Sequence, residues 1–223
     1  MRNILNIAHR GFHEAVPDNT LEAFKAAIEL GVDGVELDVN ETLDHEFIVF
    51  HDTKLSGKDV KYFLSTEIRN MRLNDRFQIP ALGQILDLCR KRTRLMIELK
   101  KVWSLDKLIT LLKYKAELSD IIVISFDRGM VSEFKRFAPE VKTGIITAFP
   151  FRDPIKLAKS AQCDAIVVRF PSVNSKLIDK ARARGLSIFA WGCPDIKAAR
   201  KLMRLDVDGL ISDFPDQVKK ELD

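Results

Sequence analysis

Apolar residues in the second half of the chain fall in short blocks with a fixed beat. Blocks at 121–125, 144–147, 165–169, 187–191 and 209–213 each end 22 positions after the one before. Each is a nearly continuous apolar run rich in β-branched residues, the pattern of parallel strands covered on both faces. Segments with helical spacing lie between them. One runs over 176–183 and is closed by Gly185, a residue that can take the left-handed conformation ending a helix. Strand, loop, helix and loop fill about the minimum length of a βα unit.

The first half alternates less evenly. Strands are predicted at 4–9, 34–39 and 95–99, and a helix opens at Asn19-Thr20-Leu21-Glu22, a capping-box-like N-x-x-E, and ends at Gly31. Three strands here and five in the repeat make eight. With no linker or low-complexity segment, the pattern predicts one domain over 1–223, an α/β chain closed as a (β/α)8 TIM barrel; an open doubly wound sheet is the alternative. Residues 40–94 exceed what one crossover needs, which predicts a small insertion at about 52–94, after the second strand. Residues 47–51 read as a further strand, folded back on the second through a turn at 43–46. Thr42 opposite Phe47 then sets Asp38 opposite His51.

Composition narrows the function classes. Lys and Arg number 36 and Asp and Glu 32, giving +4, with 46% hydrophobic residues. That excludes intrinsic disorder. No apolar run approaches the ~18 residues of a membrane-spanning helix. The basic residues are dispersed; the densest stretch, 197–204, reads as the solvated face of a helix rather than a nucleic-acid patch. Cys89, Cys163 and Cys193 form no CxxC pair. They predict reduced thiols and a cytoplasmic location, with neither a disulfide framework nor a cysteine zinc site. The N-terminus lacks a signal-peptide core and reads as a strand of the fold.

Candidate chemistry gathers at predicted strand ends, where barrels of this kind place their sites. The first strand ends His9-Arg10-Gly11. The second carries Glu36 and Asp38 on one parity, the third Glu98 and Lys100, and the folded-back strand delivers His51. Three carboxylates at one mouth repel unless a hard divalent cation, Mg²⁺ or Ca²⁺, joins them. Arg10 and Lys100 add positive charge suited to an anionic phosphodiester. Two histidines supply a base and an acid near neutral pH, which points to metal-assisted phosphoryl chemistry. His13 and His45 have no partner in this pattern and read as surface residues.

These residues carry a resemblance that spans nearly the whole chain. His9-Arg10-Gly11 followed by Pro17-Asp18-Asn19-Thr20 resembles the HRG…PENT signature of glycerophosphodiester phosphodiesterases. Glu36-Leu37-Asp38-Val39, Val49-Phe50-His51-Asp52, Ile97-Glu98-Leu99-Lys100, Ser125-Phe126 and the run 208–215 resemble the family's later motifs in order. The resemblance implies a barrel of the phospholipase-C-like phosphodiesterase type with a small insertion. It implies hydrolysis of glycerophosphodiesters to glycerol 3-phosphate and an alcohol. Glu36, Asp38 and Glu98 would hold the metal, His9 and His51 would be the acid/base pair, and Arg10, Lys100 and Trp191 would bind phosphate and substrate.

Asp18 stands where the family usually has Glu, Glu14 and Ala81 replace a usual glycine and threonine, and Gly192-Cys193-Pro194 follows Trp191 in place of T-V-N. These departures bear on the alcohol pocket rather than on the reaction. Two other readings are a lysophospholipase-D-like activity, with Phe149, Phe151, Phe170 and Phe214 walling an acyl channel, and a binding module without turnover.

Overall fold

The computed structural model describes residues 4–148 and 153–223. Eight parallel strands form its centre: β1 (Leu5–His9), β2 (Gly34–Glu41), then, after three short strands, β6 (Arg94–Lys101), β7 (Ile121–Ser125), β8 (Lys142–Thr147), β9 (Ala165–Arg169), β10 (Ser187–Trp191) and β11 (Gly209–Ser212). Neighbours run in the order β1-β11-β10-β9-β8-β7-β6-β2, and β1 also pairs with β2, so the sheet closes into a barrel. The closed barrel displaces the open-sheet alternative.

Helices alternate with the strands and shield their outer face: α1 (Leu21–Leu30), α3 (Leu82–Cys89), α4 (Leu105–Lys115), α5 (Arg128–Phe137), α6 (Pro154–Ser160), α7 (Ser175–Arg182), α8 (Ile196–Arg204) and α9 (Pro215–Leu222). None of the described helices is long and apolar enough to cross a membrane.

Strand parity divides the core. Ile7, Met96, Ile124, Ile146, Val167, Phe189 and Ile211 fill the barrel interior. The opposite parity packs outward against the helices in two clusters, one around Leu37, Ile97 and Phe134, the other around Ile166, Ile188 and Leu202. Each such side chain contributes roughly 1.5–3 kcal/mol by leaving water. Gly209 is small because Phe189 lies against it: a Cβ there would sit 2.7 Å from the ring.

The first helix begins one residue later than the sequence predicts. Thr20 is the cap, its Oγ1 accepting from the Ala23 N–H at 3.3 Å. Asn19 instead adopts φ 55 and turns its amide toward Asp38. Gly31 ends the helix in the left-handed region, as expected.

The folded-back strand is present as β3 (Phe47–Val49), antiparallel to β2, but its register is one residue off the expected one. Glu41 faces Phe47 and Val39 faces Val49. The Phe50 N–H donates to the Asp38 carbonyl, so Phe50 rather than His51 stands opposite Asp38. The turn is tighter than parity alone conveys because Thr42 is drawn into it, its N–H donating to the Glu46 carbonyl while its Oγ1 donates to Asp44 and accepts from the Glu46 N–H.

Beyond β3 come a small hairpin, β4 (Lys54–Leu55) with β5 (Lys58–Asp59), and α2 (Ser65–Asn70). They close over a cluster of their own, Ile48, Val60, Phe63, Ile68 and Ile79. The 52–94 segment also contains α3, which packs Leu82, Ile85, Leu86 and Cys89 into the outer barrel core and serves as the crossover from β2 to β6.

Candidate active site

The β2/β6 register sets Asp38 directly beside Glu98, and the β1/β2 register sets His9 beside Glu36. His9 is the last residue of β1, so both pairs lie toward the end of the barrel at which β1 finishes. The expected parity holds, and Glu36, Asp38 and Glu98 bring one oxygen each within 4.8 Å of one another in a buried group. Burial, with Asp38 and Glu98 nearby, pushes the Glu36 carboxyl well above the usual range. Burial also lifts Glu98, to about 7. Burial works against ionised Asp38 too, but Lys100, Arg10 and the Asn19 amide outweigh it and hold Asp38 below the usual range.

Two cations answer these charges. Lys100 Nζ lies 2.6 Å from Glu98 and 3.0 Å from Asp38. Arg10 Nε is 3.1 Å from Asp38 Oδ2, and its Nη1 donates to Asp18 at 2.8 Å. Arg10 reaches inward from a left-handed backbone, φ 54, followed by Gly11 at φ 86. A Cβ on Gly11 would meet the Ala23 backbone at 2.7 Å, so the turn after β1 is closed to larger residues. Burial opposes the charge on Lys100, but Asp38 and Glu98 overcome it and raise its pKa.

The two histidines arrive by different routes. His9 ends β1, and its Nδ1–H donates to Asp213 Oδ1 at 2.6 Å. His51 comes from the bend after β3, and its Nδ1–H donates to Asp52 Oδ1 at 2.7 Å. A carboxylate only accepts, so both rings carry the proton on Nδ1 and leave Nε2 for chemistry. With Arg10, Glu36, Glu98, Lys100, Phe126 and Trp191, both histidines line one hollow of about 180 Å³. Its floor is the barrel interior: Ile124, Ile146, Val167 and Ile211. The Trp191 indole N–H is buried there without a protein partner. All eight site residues expected from the sequence therefore meet, His51 included, although the strand register differs.

Four residues were missed as site components: Asn19, Asp52, Phe126 and Asp213. Asn19 donates its amide to Asp38 at 2.8 Å while its carbonyl oxygen accepts from the Asp38 N–H at 3.3 Å. Phe126 packs edge-on to Trp191 at 6.0 Å. Asp213 accepts from His9 and, at 3.3 Å, from His13 Nε2. The signal for Asp213 was its place just past the last strand of the repeat, the same rim position His9 and Trp191 hold on theirs.

His13 is accordingly no free surface residue: its bond to Asp213 raises its pKa despite partial burial. Nor is His45, whose Nδ1–H donates to the buried Glu41 at 2.8 Å. Glu41 also accepts from the Trp103 and Ser104 N–H groups at 2.7 and 2.9 Å.

Of the residues proposed to wall an acyl channel, Phe170 and Phe214 pack against the outer core, while Phe149 and Phe151 lie outside the described residues. The three cysteines are buried and free; burial pushes Cys89 to about 12 and Cys163 and Cys193 to about 11, which suits inert thiols.

The model of the glycerophosphoryl diester phosphodiesterase family matches residues 9–217. A glycerophosphodiester phosphodiesterase of Caldanaerobacter subterraneus subsp. tengcongensis is 30% identical over 230 residues, covering 95% of each chain. One of Bacillus altitudinis is 26% identical over 234 residues, covering 96% of each. Among solved structures, a glycerophosphodiester phosphodiesterase from Agrobacterium tumefaciens matches with a TM-score of 0.82 at 27% identity, over 97% of this chain and 98% of that one. An Oleispira antarctica phosphodiesterase in complex with the product sn-glycerol-3-phosphate shares the fold, with a TM-score of 0.88 at 21% identity over 96% and 94%.

Proposed function

Since the chain belongs to the glycerophosphoryl diester phosphodiesterase family, we propose that its barrel mouth hydrolyses glycerophosphodiesters to glycerol 3-phosphate and an alcohol with two histidines and a carboxylate-held divalent cation. The observation that carries this reading is the convergence of Glu36, Asp38 and Glu98 at a hollow that two histidines also line. A surplus of buried carboxylate, expressed in the raised pKa of Glu36 and Glu98, fits an oxygen-only site for Mg²⁺ or Ca²⁺. When bound, such an ion stabilises negative charge on the phosphoryl oxygens.

The chain's own residues do the rest. Arg10 and Lys100 hold the phosphate, and the Trp191 N–H offers a donor to a substrate oxygen. One histidine takes the proton from the attacking hydroxyl while the other returns a proton to the departing alcohol oxygen. Asp213 and Asp52 fix the tautomers and steady the imidazolium each ring becomes. The apolar floor strengthens these interactions.

The whole chain, 1–223, is read as one catalytic domain with a small insertion at about 52–94. Free thiols support a reducing, cytoplasmic setting.

The test is release of glycerol 3-phosphate from glycerophosphocholine, glycerophosphoethanolamine and glycerophosphoglycerol with Mg²⁺, Ca²⁺ or EDTA. Release is expected with one or both ions and none with EDTA. Turnover indifferent to EDTA removes the metal from the reading, and no release from any diester removes the reading itself.

A further inference from the structure

A second, open groove of about 860 Å³ starts at the same mouth. Glu98, Lys100 and Phe126 line both it and the inner hollow. A phosphodiester gripped at Lys100 therefore has a smaller hollow on one side and a larger, more open groove on the other. The smaller hollow suits the constant three-carbon glycerol arm, which leaves the groove for the variable alcohol.

Apart from the Glu98 and Lys100 pair it shares with the hollow, the groove is lined by three cations and two anions, a formal excess of one positive charge. Lys101 at the end of β6, Arg128 in the first turn of α5 and Lys156 in the first turn of α6 line it together with Asp127 and Asp153. Each aspartate already has an oxygen engaged by backbone. Asp127 Oδ1 accepts from the Gly129 and Met130 N–H groups at 2.8 and 3.1 Å. Asp153 Oδ1 accepts from those of Ile155 and Lys156 at 3.0 and 3.3 Å. Among the described residues, Lys101, Arg128 and Lys156 form no ion pair and no side-chain hydrogen bond. Other lysines of the chain do pair, such as Lys135 with Asp164 at 2.8 Å and Lys113 with Glu140 at 3.0 Å. Three cations thus face one groove unsatisfied.

We infer that this groove receives the alcohol half of the substrate and selects alcohols that carry a negative charge, a carboxylate or a phosphate, over cationic ones. The inference rests on the hydrolysis proposed above. Lys101, Arg128 and Lys156 outweigh Asp127 and Asp153 by one charge, so an anionic group there gains net attraction and a quaternary ammonium meets net repulsion.

Three glycerophosphodiesters of comparable size decide it: those of 3-hydroxypropionate, propane-1,3-diol and choline, each scored by kcat/KM for glycerol 3-phosphate release. The anionic substrate is expected to exceed the choline one by ~10-fold or more at low ionic strength, with the ratio falling toward one in ~0.5 M salt. In the variant Lys101→Gln/Arg128→Gln/Lys156→Gln the ratio is expected to drop by ~10-fold. Because the readout is a ratio within one preparation, partial misfolding does not imitate it. Equal or better turnover of the choline ester, or a ratio the triple variant leaves in place, overturns the inference while the hydrolytic reading stands. Silence on all three esters removes both.

Discussion

The two halves of the barrel share an architecture and divide its labour. All the buried carboxylates among the described residues, Glu36, Asp38, Glu41 and Glu98, lie on β2 and β6. The 22-residue repeat buries no charged side chain there; its buried polar groups are Ser125, Thr143, Thr147 and Ser212. The first half is irregular, with a reversed strand, an added cluster and left-handed residues at Arg10 and Asn19. The second is metrical and apolar. A buried carboxylate is tolerable only in a frame that cannot relax away from it, and the regular half supplies that frame. It also reaches across: Asp213 and Trp191 leave the ends of β11 and β10 to meet His9 and the hollow.

The division can be broken by mutating each half for the property assigned to the other. His9→Ala or His51→Ala is expected to cut kcat/KM by ~10²–10⁴-fold while thermal unfolding stays close to that of the parent. Glu36→Gln should also abolish turnover, yet leave the metal-free fold no less stable, because the carboxyl it replaces resists ionisation. A marked drop in melting temperature for these variants would deny that the mouth is built for chemistry at the expense of stability.

In the other half, Ile166, fully buried on β9, gives the opposite expectation. Ile166→Ala should cost about 2–5 kcal/mol in urea unfolding and leave kcat of the folded enzyme near parental.

Asp213 tests the reach between halves. Asp213→Asn should lower kcat by ~10–100-fold with little change in KM, since the His9 tautomer and its charge lose their support while the phosphate grip remains. Asp213→Glu should recover part of the loss.

The carboxylates give a pH signature of the metal-free protein. Glu98 keeps a proton in the folded state up to about 7, whereas the unfolded chain releases it near 4.5. The folded state binds more protons across that window, so stability falls as pH rises from one value to the other. Glu98→Gln should remove that contribution, gaining roughly 2–3 kcal/mol at pH 8 in EDTA. An unchanged urea midpoint at pH 8 would contradict it.

His13 predicts the smallest effect: its contribution also falls as pH rises, but its removal costs stability where removal of Glu98 adds it. Its pKa is raised by Asp213, so the stabilisation it gives is full below the ordinary histidine value and fades as pH climbs through the raised one. His13→Gln should therefore cost about 0.5–1 kcal/mol at pH 5.5 and less at pH 9.

The repeat made the second half legible because a parallel strand covered on both faces has a continuous apolar signature and a narrow range of crossover lengths. Strands β7, β9 and β10 match the predicted bounds residue for residue. The motif residues were legible through strand parity, which puts Glu36 and Asp38, or Glu98 and Lys100, on a common side. Errors arose where a single side chain had two possible partners. Asn19 carried the composition of a helix cap but was claimed by Asp38, leaving the cap to Thr20. The reversed strand carried a clear apolar pattern, but its register depended on hydrogen bonds of Thr42 inside the turn, which periodicity does not encode.

The sequence alone determined the eight barrel strands, the barrel, and eight of the side chains that meet at its mouth, because burial periodicity and side-chain parity are local properties of the chain. Which atoms meet was decided only in three dimensions. Barrel closure brings Asp213 to His9 across 204 positions, and strand register brings Asp38 to Glu98. The carboxyl pKa values, the orphaned Trp191 N–H and the unpaired cations of the outer groove follow from those meetings. Electrostatic energy depends on distance and desolvation, and both are set by the packed fold.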